Sequence, residues 1–376
     1  MEAKTFNPPQ RILLGPGPSN VHPRVLEAMA RPTIGHLDPA FVDLMEEIKS
    51  LLRYTFKTEN EITFPVSGPG SVGMETCLVN LVEPGMKAAV CVNGVFGGRM
   101  KDIVERCGAQ PIIVEAEWGR AIDPQKLEDV LKSNPDIKLT SFVHAETSTG
   151  AQSNIKELAE ISHRHNCLVI ADTVTSLGGI PVKVDEWNLD AVYSGSQKCL
   201  SCPPGLSPVT LNEKALHAIK NRKSKIQSWF MDINLITSYW GSSSRRSYHH
   251  TAPINALYGL HEALLLLKEE GLENSWKRHK QNSEKLIGGL KNLGLDTFVK
   301  EEERLPELIT VKIPEGVDDL KVRNFLLEKH NIEIGAGLGS LAGKIWRIGL
   351  MGYSSNEENI SRCIYALKES LEKFKD

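Results

Sequence analysis

The chain has 376 residues, 41% hydrophobic and 24% charged, with a formal net charge of −3 at pH 7 and a pI near 6.4. These values suit a globular protein with room for one large and one smaller domain, whose cores close without disulfides or structural metal. They exclude a global basic field for nucleic acid or an anionic membrane, so any anion must be held locally.

Residues 1–33 form the first unit, and the Pro- and Gly-rich stretch from Thr5 to Thr33 reads as an extended arm. From Pro65 to Thr210 short apolar runs alternate with amphipathic ones. Strands are predicted at Ala88–Asn93, Pro111–Glu115, Thr140–His144, Leu168–Asp172, Ala191–Ser194 and Ser207–Leu211. Helical patterns fall between them at Val72–Val82, Gly97–Cys107, Pro124–Ser133 and Ile155–His165. That alternation predicts an α/β domain over residues 34–252, a mostly parallel sheet covered on both faces.

After Pro253 the pattern changes. Helices are predicted at Pro253–Glu270 and Glu273–Leu293, broken by Gly271. Short strands (Leu308–Ile313, Ile332–Ile334, Ile345–Gly349) flank a helical Asp318–His330, and an amphipathic helix runs on from Asn356. Residues 253–376 therefore read as a small C-terminal α+β domain.

The seven cysteines (Cys77, Cys91, Cys107, Cys167, Cys199, Cys202, Cys363) are odd in number and scattered among apolar neighbours, as expected of reduced thiols in the cytoplasm. Met1–Gln10 lacks the apolar core of a secretory leader, and no run is long enough to span a bilayer.

Ligands of α/β sheets gather beyond the carboxyl ends of the strands, so the residues following each apolar run carry the chemistry. Ser67-Gly68-Pro69-Gly70-Ser71 leads into a helix. Small residues and a helix N-terminus make a phosphate cup, or equally an ordinary turn and cap. Pro69 has no N–H, and the stretch lacks the Lys of a nucleotide P-loop. Leu168–Asp172 ends in a carboxylate, which fits a helix cap or a partner for a protonated ring nitrogen. Lys198 lies 26 residues further on, after the strand ending at Ser194. Desolvated beside Asp172 it becomes a Schiff-base nucleophile and proton shuttle; alone it is a surface charge. Arg347, inside Ile345–Gly349, needs a buried structural anion or a cleft in which to grip a carboxylate at two points.

Together these stretches resemble the class V aminotransferases of fold type I, and within them the alanine–glyoxylate (serine–pyruvate) aminotransferase family. The likeness is carried by Leu14-Gly15-Pro16-Gly17-Pro18-Ser19-Asn20, His144-Ala145-Glu146-Thr147-Ser148-Thr149-Gly150 and Ala171-Asp172-Thr173-Val174-Thr175-Ser176-Leu177-Gly178-Gly179. Ser194-Gly195-Ser196-Gln197-Lys198, Tyr248-His249-His250-Thr251 and the run from Gly337 to Gly349 complete it.

The resemblance implies a large domain with a seven-stranded, mostly parallel sheet and pyridoxal 5′-phosphate bound to Lys198, with Asp172 on the pyridine nitrogen. Ser67, Gly68, Pro69, Gly70, Ser71 and Gln197 would line the phosphate, and Thr147 and Val174 the ring. Phe96 stands where animal members have a ring-stacking Trp. Tyr248 and Thr251 would reach the cofactor of a neighbouring subunit, making the active unit a homodimer with shared active sites. Arg347 would bind the substrate carboxylate. The implied reaction is ping-pong transfer from alanine or serine to glyoxylate or pyruvate.

Two stretches depart from the family. The cup reads Ser-Gly-Pro-Gly-Ser where animal members tend to read Ser-Gly-Ser-Gly-His, and Cys199 and Cys202 follow the lysine where small residues are common. Small apolar filler or a redox pair both fit the two cysteines. His249 and His250 have no third metal ligand placed by sequence. Ureidoglycine–glyoxylate or hydroxykynurenine transamination stays open. A cysteine desulfurase needs a reactive late Cys, and Cys363 falls in a predicted helix. A dehydrogenase needs an acid after the glycine motif that this chain lacks.

Overall fold

The computed structural model of the chain describes residues 4–241 and 246–374. Residues 1–3 of the arm and 375–376 of the predicted small domain lie outside them. In the arm, β1 (Ile12–Leu13) precedes helix α1 (Pro23–Met29), so the stretch predicted as extended contains a helix. Its start is local chemistry: His22 Nδ1 accepts from Arg24 N, and Pro23 occupies the first turn, where an N–H would have no partner anyway. Helix α2 (Pro39–Phe56) follows, capped by Asp38.

The sheet region then alternates as predicted. It runs β2 (Ile62–Ser67), α3 (Gly70–Leu81), β3 (Lys87–Val92), α4 (Val95–Arg106), β4 (Gln110–Glu115), α5 (Pro124–Ser133) and β5 (Leu139–Val143). A hairpin of β6 (Ala145–Glu146) and β7 (Ala151–Gln152) leads to α6 (Ile155–Arg164), β8 (Leu168–Asp172), β9 (Ala191–Tyr193) and β10 (Leu206–Leu211). Helices α7 (Glu213–Lys220) and α8 (Ile233–Trp240) close this part.

The seven-stranded sheet has the order β2-β10-β9-β8-β5-β3-β4. Pairs from β9 to β4 are parallel, and β10 runs antiparallel to both neighbours. The fold class is therefore the predicted α/β one. The strand not predicted is β2. Pro65 argues against a strand interior, but β2 is an edge, where a missing N–H leaves no ladder bond broken, and Pro65 faces Pro208.

Helices α9 (Ile254–Glu270) and α10 (Leu272–Asn292) come next, then β11 (Leu308–Lys312), α11 (Asp319–His330), β12 (Ile332–Glu333), β13 (Gly335–Ala336), β14 (Ile345–Gly349) and α12 (Glu357–Phe374). Strands β11, β14 and β13 form an antiparallel sheet. The predicted strand at Ile332 pairs instead with β1, in parallel, tying the arm to this region. Two large apolar cores result. One fills the space around the seven-stranded sheet and takes in Leu257, Leu260 and Leu264 of α9. The other joins Leu14 of the arm to Leu286, Ile309, Trp346 and Leu367. Among the described residues, no helix is long and apolar enough to cross a membrane.

Candidate active site

Strands β3, β5, β8 and β9 point their carboxyl ends to one edge of the sheet, and β2, antiparallel to β10, ends there too. Asp172 closes β8 and is 3% exposed. Its Oδ1 accepts from Val174 N and its Oδ2 from the Tyr193 hydroxyl, both at 2.8 Å. Burial raises the carboxyl to about 6, aided by the charge of Glu146 and opposed by those two donors and Lys198. It is ionised at neutral pH. Tyr193 has no signal in the sequence; it sits beside Asp172 only because β8 and β9 align in that register.

Lys198 follows β9 and is also buried. Desolvation lowers its amine to about 8, with Arg347 adding to the effect while Cys199 and Asp172 oppose it. The two key side chains are thus close enough to perturb one another. The amine donates to the Pro16 carbonyl of the arm. Gly17, at φ +108°, makes that approach feasible, because a Cβ there would lie 2.5 Å from Nζ. Ser19 completes the junction through Ser19 Oγ to Lys198 O at 2.8 Å and Ser19 N to Gln197 O at 2.9 Å.

The cup between β2 and α3 divides its tasks. Gly68 N donates to Gly205 O at 2.7 Å, and Ser67 Oγ bonds His250 Nε2 at 2.9 Å. Helix α3 begins at Gly70 after Pro69 with no side-chain cap. Its first amides, at Gly70 and Ser71, are left without a side-chain cap, as donors available to an anion. Arg99 donates to Ser71 Oγ at 3.0 Å and lies 5.0 Å from the Phe96 ring centroid. Gln197 Oε1 is buried without a partner. An uncapped helix start and a nearby cation fit a phosphate group. The adjoining buried carboxylate and amine fit the ring nitrogen and aldehyde of pyridoxal phosphate.

Phe96, half-buried at the start of α4, and Thr147, buried in the β6–β7 turn, are held by a residue to which the sequence assigns no role. Glu146 is fully buried and bonds both segments. Arg347 projects from β14, donating from Nε to Ala336 O at 2.6 Å and from Nη1 to Thr147 O at 3.2 Å. Burial lowers it to about 10, and among the described residues no carboxylate forms an ion pair with it. A buried cation with no directly ion-paired carboxylate is a receptor for an anion.

Tyr248 and Thr251 do not join this cleft. Tyr248 is 62% exposed; its hydroxyl meets Thr251 Oγ1 at 3.4 Å, and its ring packs on His36. Among the described residues no three His, Cys, Asp or Glu side chains gather as a metal site. All seven cysteines are free and buried. Burial pushes Cys202 and Cys363 up to about 12 and Cys199 well above its ordinary value, so none is a ready thiolate.

The chain is similar to known proteins over nearly its whole length. The family profile described as Aminotransferase class-V matches residues 12–362. The chain is 42% identical to the alanine–glyoxylate aminotransferase of Rattus norvegicus, over 98% of this chain and 90% of that protein. It is 39% identical to the (S)-ureidoglycine–glyoxylate transaminase of Bacillus subtilis, over 94% of this chain and 88% of that one. The crystal structure of alanine–glyoxylate aminotransferase from Nostoc sp. superposes with a TM-score of 0.96 at 47% identity, covering 99% and 98% of the two chains.

Proposed function

The chain belongs to the class-V aminotransferase family, and from that premise we propose that it moves the amino group of alanine or serine to glyoxylate or pyruvate, using pyridoxal 5′-phosphate. The observation that carries the reading is the convergence of buried Lys198, Asp172 and Arg347, with the amine lowered to about 8 and the guanidinium free of any carboxylate among the described residues. Glyoxylate is common to the names of the rat, Nostoc and Bacillus relatives, which favours it as acceptor.

When bound, pyridoxal phosphate supplies an aldehyde that takes up amines and a ring that withdraws electrons from the substrate Cα. Lys198 Nζ, partly deprotonated near neutral pH, would be the nucleophile and would then carry the proton from the substrate Cα to the cofactor carbon that bore the aldehyde. Asp172, ionised and oriented by Val174 N and Tyr193, holds the proton of the ring nitrogen. Arg347 binds the substrate carboxylate and so orients Cα toward Lys198. Ser67, Gly68, Pro69, Gly70, Ser71 and Gln197 would line the phosphate, and Phe96, Thr147 and Val174 the ring.

The exposure of Tyr248 and Thr251 supports a homodimer in which they complete the site of a second copy. We place the protein in the cytoplasm, in keeping with seven unpaired cysteines. The division into arm, large domain and small domain at residues 33 and 252 is part of the same proposal, although α9, on the small-domain side of 252, packs into the first core. The purified protein should be yellow, and L-alanine alone should bleach the visible band. Borohydride should label Lys198, and Lys198→Ala should abolish the half-reaction. A colourless protein unaffected by added pyridoxal phosphate overturns the proposal, and a panel of donors including ureidoglycine decides the substrate.

A further inference from the structure

Glu146 is fully buried, yet it is surrounded by donors. Oε2 accepts from Phe96 N at 3.1 Å and Gly97 N at 3.4 Å. Oε1 accepts from Ser148 N at 3.1 Å and Ser148 Oγ at 2.6 Å. That hydroxyl itself accepts from Val95 N at 3.0 Å, so its hydrogen is committed to Glu146. Burial pushes the carboxyl up from its ordinary value while these donors pull it back. No acceptor among these contacts remains for a carboxyl proton, and the group is held as an anion. Gly94 permits the approach, since a Cβ there would lie 2.5 Å from Glu146 Cδ.

The contacts reach two parts of the cleft at once. On one side is the first turn of α4, which carries Phe96. On the other is the turn of Thr147 and Ser148, whose Thr147 carbonyl receives Arg347 Nη1 at 3.2 Å. Glu146 also acts through space on both Arg347 and Asp172. We infer that Glu146 is a positioning residue, a buried anion that locks the ring-stacking Phe96 and the carboxylate-binding Arg347 into one unit. The inference rests on the aminotransferase reading above. With both oxygens taken up by these protein donors, Glu146 is assigned a positioning role and no proton transfer.

Glu146→Gln is isosteric but turns one acceptor into an amide NH2 that faces only donors, whichever way it is oriented. In the full-length protein it should weaken pyridoxal phosphate binding to the apoprotein, followed by absorbance titration, by about tenfold or more. It should raise KM for L-alanine and glyoxylate by about tenfold while leaving kcat within roughly threefold. Ser148→Ala keeps the charge and removes one bridge, and should shift the same quantities in the same direction by about threefold. If the Gln variant does not fold, Ser148→Ala decides alone. Variants matching wild type in cofactor affinity and KM overturn the role of Glu146, as does a fall confined to kcat. A wild-type protein that binds no pyridoxal phosphate would instead overturn the aminotransferase reading itself.

Discussion

Gly17→Ala separates the strain of a backbone from the displacement of a catalytic amine. At φ +108° an L side chain is strained, and the loss of stability should be about 1–2 kcal/mol. Gly85, at φ +79° with nothing within 4 Å of a methyl added there, provides the matched control. The difference lies in what the methyl meets. At Gly17 it would lie 2.5 Å from Lys198 Nζ, 2.7 Å from Cδ and 2.9 Å from Cε, so the side chain as a whole must retreat. Ordinary contact begins at 3.4 Å, so the amine moves by about 0.9 Å. Misplacement on the order of 1 Å at a reacting atom lowers rates by roughly 100-fold. Urea denaturation should show similar losses for Gly17→Ala and Gly85→Ala. Single-turnover bleaching of the visible band by L-alanine should be slowed only in the first. Equal bleaching rates in the two variants would refute the placement of the arm against Lys198.

The capture of pyridoxal phosphate by the apoprotein should rise with pH through a midpoint near 8, because burial and Arg347 lower the Lys198 amine to about 8; stopped-flow absorbance against pH checks this. Arg347→Gln should move that midpoint upward by removing a nearby cation. It should also raise KM for donor and acceptor alike by about 30- to 1,000-fold, on the order of 2–4 kcal/mol of lost charge-assisted binding; an unchanged KM for either substrate counts against the assignment. Glu307 is fully buried with neither oxygen bonded to another residue, and burial raises it to about 8 against the pull of its own backbone N–H. Its folded value lies above the unfolded one, so its stabilising effect is lost as pH rises from the ordinary carboxylate range toward about 8. Glu307→Gln should therefore gain stability over wild type by about 1–3 kcal/mol at pH 8 and much less at pH 5, measured by urea denaturation. A gain independent of pH would show that the carboxyl is solvated or paired.

Much of the chemistry is a property of the chain in one dimension. Alternating apolar runs announce a parallel sheet, because strands buried on both faces leave no polar period. Asp172 and Lys198 follow such runs, and Arg347 sits inside one, which marks these three as charges needing a reason to be buried. Other features become visible only when the strands align. Pro65 hides β2, since nothing local says that its strand is an edge. Tyr193 gains its role from lying opposite Asp172 in the ladder. Glu146 has no role assigned from the sequence, and becomes a buried anion only when α4 brings Phe96 N and Gly97 N to it. The same holds for Pro16 and Gly17, which meet Lys198 from the far end of the chain. Which groups can react is thus legible in the order of residues, because ionisation and nucleophilicity belong to residue types. How each is tuned belongs to the folded chain, because desolvation and hydrogen bonding depend on neighbours that chain order does not reveal.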